Sequence, residues 1–268
     1  MNPVILMRVG LSDEHELAAA RKYFDVYEQR ANIPSGSCVI GRYSVLPYYP
    51  ELALDLREND SILVNSYREH LYIADLRNWY MDLSPVTFKT WFSLEEMPKD
   101  NKTFPVVLKG ATNSKKQQWK THMYAENYAE TTQVHKLLAT DGLVGSQDIY
   151  IRKYEKLRSF GTAIAGHPIT EEYRFFYYGT TQLSGAFYWS EHSEIAEENG
   201  LTPDNVPEDF LSDIAETVAQ HATFYVVDVG RKANGEWVLI EINDGQMSGL
   251  SDNDPYILYE NLSKAIRE

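Results

Sequence analysis

The sequence predicts a mixed fold, α/β over residues 1–82 and α+β over residues 83–268, and three observations carry that expectation. Near the N-terminus, apolar runs alternate with stretches of helical periodicity, the pattern of a small α/β unit. A polar stretch from Asp82 to Thr103 then breaks the patterning with Ser84-Pro85, Pro98 and Asp100-Asn101, the composition of a domain boundary. Beyond it, ribbon-like apolar runs joined by short turns are interleaved with amphipathic stretches. A hydrophobic content of 43% and a charged content of 24% are those of a globular chain.

Val4-Ile-Leu-Met-Arg-Val9 reads as a buried strand, and Ser12 and Asp13 can cap the helix after it, in which Leu17, Ala20, Tyr23, Phe24 and Tyr27 recur at helical spacing. Cys38 to Leu46 reads as a second strand, ended by Pro47-Tyr-Tyr-Pro50, and Ser61 to Asn65 as a third. A helix-like stretch from Ser66 to Tyr80 completes the first unit. After the boundary, Phe104-Pro-Val-Val-Leu-Lys-Gly110 enters as a strand ending in a lysine, and the spacing predicts a helix over Thr121–Thr140. Asp148–Leu157 alternates as a strand, and Glu171–Tyr178 with Gln182–Trp189 makes a ribbon around Gly179. A helix with Glu208 and Asp209 in its first turn leads to a second ribbon, and a helix over Pro255–Ile266 closes the chain.

That second ribbon, Phe224 to Asn243, carries the most chemistry. Asn234-Gly235 is a strong hairpin signal, since both residues tolerate φ > 0. A two-residue turn sets Ala233 opposite Glu236, Asp228 opposite Glu241 and Val226 opposite Asn243. Two carboxylates across a ladder repel. A divalent cation between them reverses the sign, and Asp, Glu and Asn oxygens are the hard ligands that Mg²⁺ takes alongside substrate phosphates. The competing reading is a solvated hairpin whose acids happen to pair. Likewise Lys109 opens into Ala111-Thr-Asn-Ser-Lys-Lys-Gln117, a small, polar, basic loop suited to wrapping phosphate oxygens, or an ordinary surface loop. Arg174 alternates with Glu172 and Phe176, as an inward cation or as a partner of Glu172.

A net charge of −14 argues against a nucleic-acid partner. Cys38, the one cysteine, excludes an intrachain disulfide and a thiolate metal cluster. No run approaches the ~18 apolar residues of a membrane span, so a cytoplasmic protein without a membrane partner is expected. The seven histidines are scattered singly, without metal-ligand spacing.

Taken together, the lysine strand and the Asp228, Glu241, Asn243 series resemble the ATP-grasp superfamily of carboxylate–amine ligases, which writes its metal ligands as Asp on one strand and Glu-x-Asn on the next. D-alanine–D-alanine ligases and ribosomal-protein glutamate ligases are similar in the same places. The whole chain, including Gly41-Arg-Tyr-Ser-Val-Leu-Pro47 and Glu241 to Gly249, looks most like short ATP-grasp proteins of phages and bacteria, which for a phage protein makes the cytoplasm that of the host.

The resemblance implies an N-terminal domain at 1–82 and an ATP-grasp domain at 83–268, whose subdomains, about 104–150 and 158–268, sandwich ATP. It implies ATP and Mg²⁺ as cofactors, with Mn²⁺ an alternative, and Asp228, Glu241 and Asn243 as metal ligands. Lys109, Thr112, Asn113, Ser114 and Lys116 would grip phosphate; Tyr154, Glu155, Lys156 and Leu157 would form the hinge whose backbone reads adenine, with Lys153 adjacent. Arg174 and Lys109 would act in catalysis, and Arg42, Gln246, Ser248 and Gly249 would meet the substrate. The activity implied is amide or peptide formation, releasing ADP, through an acyl phosphate; the carboxylate and the amine (amino acid, peptide or protein) stay open. Two departures stand out: the loop lacks the usual glycines, and Val226 occupies a position where many members have Arg. They keep open a nucleotide-binding protein without ligase activity. A polynucleotide ligase fits less well, because Lys109-Gly-Ala-Thr does not match the Lys-x-Asp-Gly type element of those enzymes.

Overall fold

A computed structural model describes residues 1–8, 13–45, 48–163 and 166–267. The expectations for Val9, Ser12, Leu46 and Pro47 lie outside the described residues. Strand β1 (Asn2–Met7) is followed by α1 (Glu14–Tyr23), which Asp13 caps by accepting from the amides of His15 and Glu16. A short β2 (Asp25–Tyr27) precedes β3 (Ser37–Arg42), so the strand expected to reach Leu46 stops at Arg42. Helix α2 (Tyr49–Arg57) holds Pro50 in its first turn, where the missing amide proton has no partner to lose. After β4 (Ile62–Leu63) come α3 (Tyr67–Ala74) and α4 (Leu76–Leu83). Periodicity reads a single helix here; Asp75 divides it by accepting from the amide of Arg77 as an N-cap.

Next come β5 (Thr90–Trp91), β6 (Val106–Gly110), α5 (Trp119–His122), β7 (Tyr124–Ala125), α6 (Tyr128–Ala139) and β8 (Ile149–Lys153). The helix expected over Thr121–Thr140 is therefore two helices with a strand between them. Asn127 starts the second by accepting from the Glu130 amide, while the Glu130 carboxylate accepts from the Glu126 amide, so the cap outweighs the continuous periodicity. The remaining elements are β9 (Ser159–Thr162), β10 (Pro168–Thr170), β11 (Glu172–Tyr178), β12 (Thr181–Phe187), α7 (Ser193–Glu198), α8 (Glu208–Val218), β13 (Phe224–Arg231), β14 (Trp237–Asp244) and α9 (Pro255–Ala265).

The hairpin of β13 and β14 forms, with one difference at its tip. The Lys232 amide donates to Glu236 O and the Gly235 amide to Lys232 O, with Gly235 at φ 96°. The loop is thus Ala233-Asn234-Gly235, three residues with glycine at the left-handed position, so Lys232 and not Ala233 meets Glu236. At the far end the Gly245 amide donates to Phe224 O, the pairing to which a two-residue turn counts. Eight steps from Phe224 to Lys232 face nine from Glu236 to Gly245, so the second strand absorbs one extra residue as a bulge.

The chain divides into two compact units: Met1–Ile73 with Tyr173–Asp228 and Ile242–Glu268, and Ala74–Glu172 with Val229–Glu241. In the first, a parallel sheet runs β2-β1-β3-β4, with Leu6 beside both Tyr27 and Gly41. Alternation along β1 sends Val4 and Leu6 into a core with Tyr49, Leu52 and Leu56 of α2. Ile5 and Met7 enter another core with Phe224, Val226 and the α9 residues Leu258, Tyr259 and Leu262. The acidic hairpin belongs to a sheet of order β12-β11-β13-β14. In the second unit the sheet runs β5-β8-β6-β7. Val106, Leu108 and Ile151 pack against Val134 and Leu138 of α6. The alternate positions place Lys109 opposite Tyr150 and Arg152 opposite Val107 on the other face.

Candidate nucleotide and substrate site

In the second unit, β6 delivers Lys109 so that its Nζ lies 2.6 Å from Glu241 Oε2, with side chains 14% and 22% exposed. A Cβ on the next residue, Gly110, would stand 2.6 Å from Gln147 Oε1 and 2.9 Å from Val144 Cγ1, so glycine leaves room for these two side chains to pack against the strand end. Gln147 holds that loop: its Oε1 accepts from the Thr112 amide at 3.0 Å, and its Nε2 donates to Asn113 Oδ1 at 2.6 Å. Ser114 is half-buried beside them. Lys115 Nζ lies 2.7 Å from Asp141 Oδ2, and that hydrogen bond, with the amides of Leu143 and Val144, holds the Asp141 carboxyl down to about 2. Lys116 begins the 3₁₀ turn Lys116–Gln118.

The expected hinge follows β8. Lys153 donates from Nζ to the carbonyls of Lys102, Thr103 and Phe104 at 2.8, 3.1 and 2.9 Å. The Tyr154 amide donates to Pro105 O, and its ring stands 5.2 Å from Tyr124 and 6.0 Å from Trp119. Burial pushes the Tyr154 phenol up. Glu155 pairs with Lys232 at 2.8 Å, and Leu157 bridges to Lys232 through the backbone.

In the first unit, Arg174 grips Asp228 with both arms of its fork: Nε to Oδ1 at 2.8 Å and Nη2 to Oδ2 at 2.7 Å. Its Nη1 donates to Gly249 O at 2.8 Å, and the guanidinium lies 5.0 Å from the Tyr188 ring centroid. Asp228 is 1% exposed. Val226, where the family resemblance expects Arg, is fully buried with Phe176 and Phe224, so β11 supplies the guanidinium beside Asp228. Asn243 is half-buried in β14.

Arg42, Gln246, Ser248 and Gly249 line one cavity of about 400 Å³, together with Arg8, Asp13 and Glu16. Within it Arg42 is a brace. Its Nε and Nη2 donate to Glu16 Oε1 at 3.0 and 2.7 Å, and its Nη1 donates to Gly245 O and Ser248 O. Burial works against the charge, but Glu16 and Tyr259 outweigh it and raise the Arg42 pKa.

Gln246 is fixed by donating to Tyr49 OH at 2.8 Å and accepting from the Gly41 amide at 3.1 Å. Behind it stands a buried group that sequence reasoning missed. Asp244 accepts from Asn65 Nδ2 and the Gln246 amide through Oδ1, and its Oδ2 is 3.0 Å from His70 Nδ1. The His70 ring stacks on Tyr49 at 4.2 Å, and Asn65 also clasps both the amide and the carbonyl of Phe224. Asp244, directly after the Glu-x-Asn run, was the one legible signal; a lone Asn at a strand end carries none.

Among the described residues no group of three or more His, Cys, Asp or Glu side chains forms a metal cage. Taken by chemistry alone, the Asp228 carboxylate and Asn243 amide of the first unit and the Glu241 carboxylate of the second are oxygen donors of the type that Mg²⁺ takes.

Residues 96–262 match the model of an ATP-grasp domain, family 3 of its clade. In fold the chain is similar to the D-cycloserine synthetase DcsG, with a TM-score of 0.61 at 11% identity over 99% of both chains. It is also similar to the ATP-grasp ligase PsnB complexed with minimal precursor, Mg and ADP, with a TM-score of 0.56 at 8% identity over 99% of this chain and 98% of that one. A RimK domain ATP-grasp protein from Sphaerobacter thermophilus DSM 20745 gives a TM-score of 0.55 at 14% identity over 97% and 99%. No curated protein matches the sequence. The structural likenesses speak for the fold, while the match over 96–262 spans more than half of the sequence: the chain belongs to the ATP-grasp superfamily, in that third family of the clade.

Proposed function

We propose that the protein is an ATP-dependent carboxylate–amine ligase. The γ-phosphoryl group of ATP passes to a substrate carboxylate and ADP leaves; an amine then attacks the acyl phosphate, phosphate departs, and an amide forms. Membership in the ATP-grasp superfamily carries the nucleotide-binding ligase class. The single observation that supports the site assignment best is the 2.6 Å contact between Lys109 and Glu241, because it brings the strand-ending lysine against the glutamate of the Glu-x-Asn run.

Lys109 binds phosphate oxygens, and Thr112, Asn113, Ser114 and Lys116 cover them and exclude water from the labile acyl phosphate. Arg174 stabilises charge on the transferring group. The backbone of Tyr154, Glu155, Lys156 and Leu157 reads adenine; the three carbonyl bonds of the adjacent Lys153 ammonium support a hinge of fixed shape. Asp228, Glu241 and Asn243 would hold Mg²⁺, which supplies charge neutralisation at the phosphates when bound. PsnB, similar in fold, is a ligase complexed with Mg and ADP. The cavity of Gln246, Ser248 and Gly249, braced by Arg42, receives the acceptor.

The test is ADP release from ATP and Mg²⁺ across a panel of amino acids and peptides. We expect substrate-dependent release that Lys109→Met abolishes. ATP binding without release for any acceptor would instead mark a nucleotide-binding protein. Label from α-labelled ATP retained on the denatured chain would mark a covalent nucleotidyl enzyme.

A further inference from the structure

Arg152 is a buried cation that none of the assignments above uses. It lies on β8 opposite Val107, on the sheet face that carries Lys109. Only 7% of the residue is exposed, yet no carboxylate among the described residues receives a hydrogen bond from it. Nη1 donates to Ile240 O at 2.7 Å and Nη2 to Thr87 Oγ1 at 2.8 Å, while Nε has no acceptor among the described residues. The guanidinium lies 5.2 Å from the Phe88 ring centroid. The hydroxyl of Thr87 donates to Leu239 O at 2.7 Å, and the Leu239 amide donates to Val86 O at 2.8 Å. Arg152 and Thr87 therefore fix the two peptide planes ahead of Glu241.

A buried guanidinium bonded to neutral acceptors is a poor source of stability, since apolar side chains of similar volume commonly do as well or better. Its placement finds a use in the next residue along: the carbonyl it holds is joined to the nitrogen of Glu241. We propose that Arg152 is a positioning residue for Glu241, locking the strand so that the carboxylate stands ready for a cation carried by the nucleotide. The proposal rests on the reading of Glu241 as a ligand of that cation. Burial pulls the Arg152 pKa down to about 10, with Glu241 acting in the opposite direction, so it is a cation throughout the neutral range.

The experiment is calorimetric titration of the full chain with ADP, in excess Mg²⁺ and again in EDTA, alongside urea unfolding. Wild type should bind more tightly with Mg²⁺. Arg152→Met should lose about tenfold or more of that gain, the usual cost of removing a group that orients a metal ligand, with unchanged affinity in EDTA and unimpaired stability. Arg152→Lys should recover part of the gain, and it carries the comparison if the methionine variant fails to fold. Retention of the full gain in Arg152→Met overturns the proposal. Equal losses with and without Mg²⁺ also overturn it, by making Arg152 a direct phosphate contact or a general support. A gain that Glu241→Gln leaves intact, or that wild type lacks, instead sinks the reading of Glu241 itself.

Discussion

Arg174 with Asp228 and Lys109 with Glu241 are the same device, a cation on an acid of the hairpin, built to different tolerances. The first pair is bidentate, with side chains 10% and 2% exposed, and the arginine is bonded onward to Gly249 O. The second is a single contact with 14% and 22% exposed. A bidentate guanidinium fixes both distance and plane, whereas an ammonium on four methylenes swings. On the proposed reading the difference would separate scaffold from gate: Asp228 is fixed in distance and plane by two bonds, while Lys109, resting on Glu241 through one contact, would leave it for a phosphate.

The largest effect should come from breaking the rigid pair. Arg174→Met strands a buried carboxylate and should destabilise the protein by about 3–5 kcal/mol, read as a fall in the urea midpoint. Adding Asp228→Leu should restore most of that loss, because the uncompensated charge is then gone. Asp228→Asn, the natural probe of a metal role, strands the guanidinium instead, so its activity must be read beside its unfolding curve. A single-mutant cost below about 1 kcal/mol, the range of surface pairs, would put the two devices in one class.

Glu241→Gln should be mild for stability, within about 1 kcal/mol, while removing most of the Mg²⁺-dependent part of ADP affinity. Lys109→Met should match it in stability but weaken ADP binding with and without Mg²⁺, as expected for a phosphate contact. If Glu241→Gln costs as much stability as Arg174→Met, the exchangeable pair is no gate.

The two pairs were unequally legible. Asp228, Glu241 and Asn243 stand in one short run, so their spacing could be read directly. That Arg174 grips Asp228 depends on β11 lying beside β13, a pairing between segments 54 residues apart that no local pattern announces. The cap at Asn127 was readable as Asn-x-x-Glu but was overridden by a longer apolar periodicity. Asn65 and His70 escaped for the same reason as Arg174: their partner Asp244 is more than 170 residues away. Arg42 lines the cavity, and its role as a brace follows from partners in the loop around Gly245, invisible from its own neighbours.

The smallest effect concerns the loop that would cover the phosphates. Lys115 and Asp141 anchor it through side chains 22% and 15% exposed, on the weak side of the comparison, so global unfolding should barely register Asp141→Asn. Local opening should: trypsin at pH 8 should cut after Lys115 or Lys116 faster in the variant than in wild type. The pH dependence has a definite sign. Asp141 is lowered from 3.8 to about 2 in the folded chain, so the anchor's contribution is complete above the unfolded value and is lost as pH falls through about 2. Pepsin should therefore leave residues 111–118 of wild type as protected at pH 4 as at pH 5, with cleavage rising only toward pH 2. In Asp141→Asn that segment should already be open at pH 4. Equal cleavage of the two proteins at pH 4 would mean that Gln147, not this ion pair, holds the loop closed.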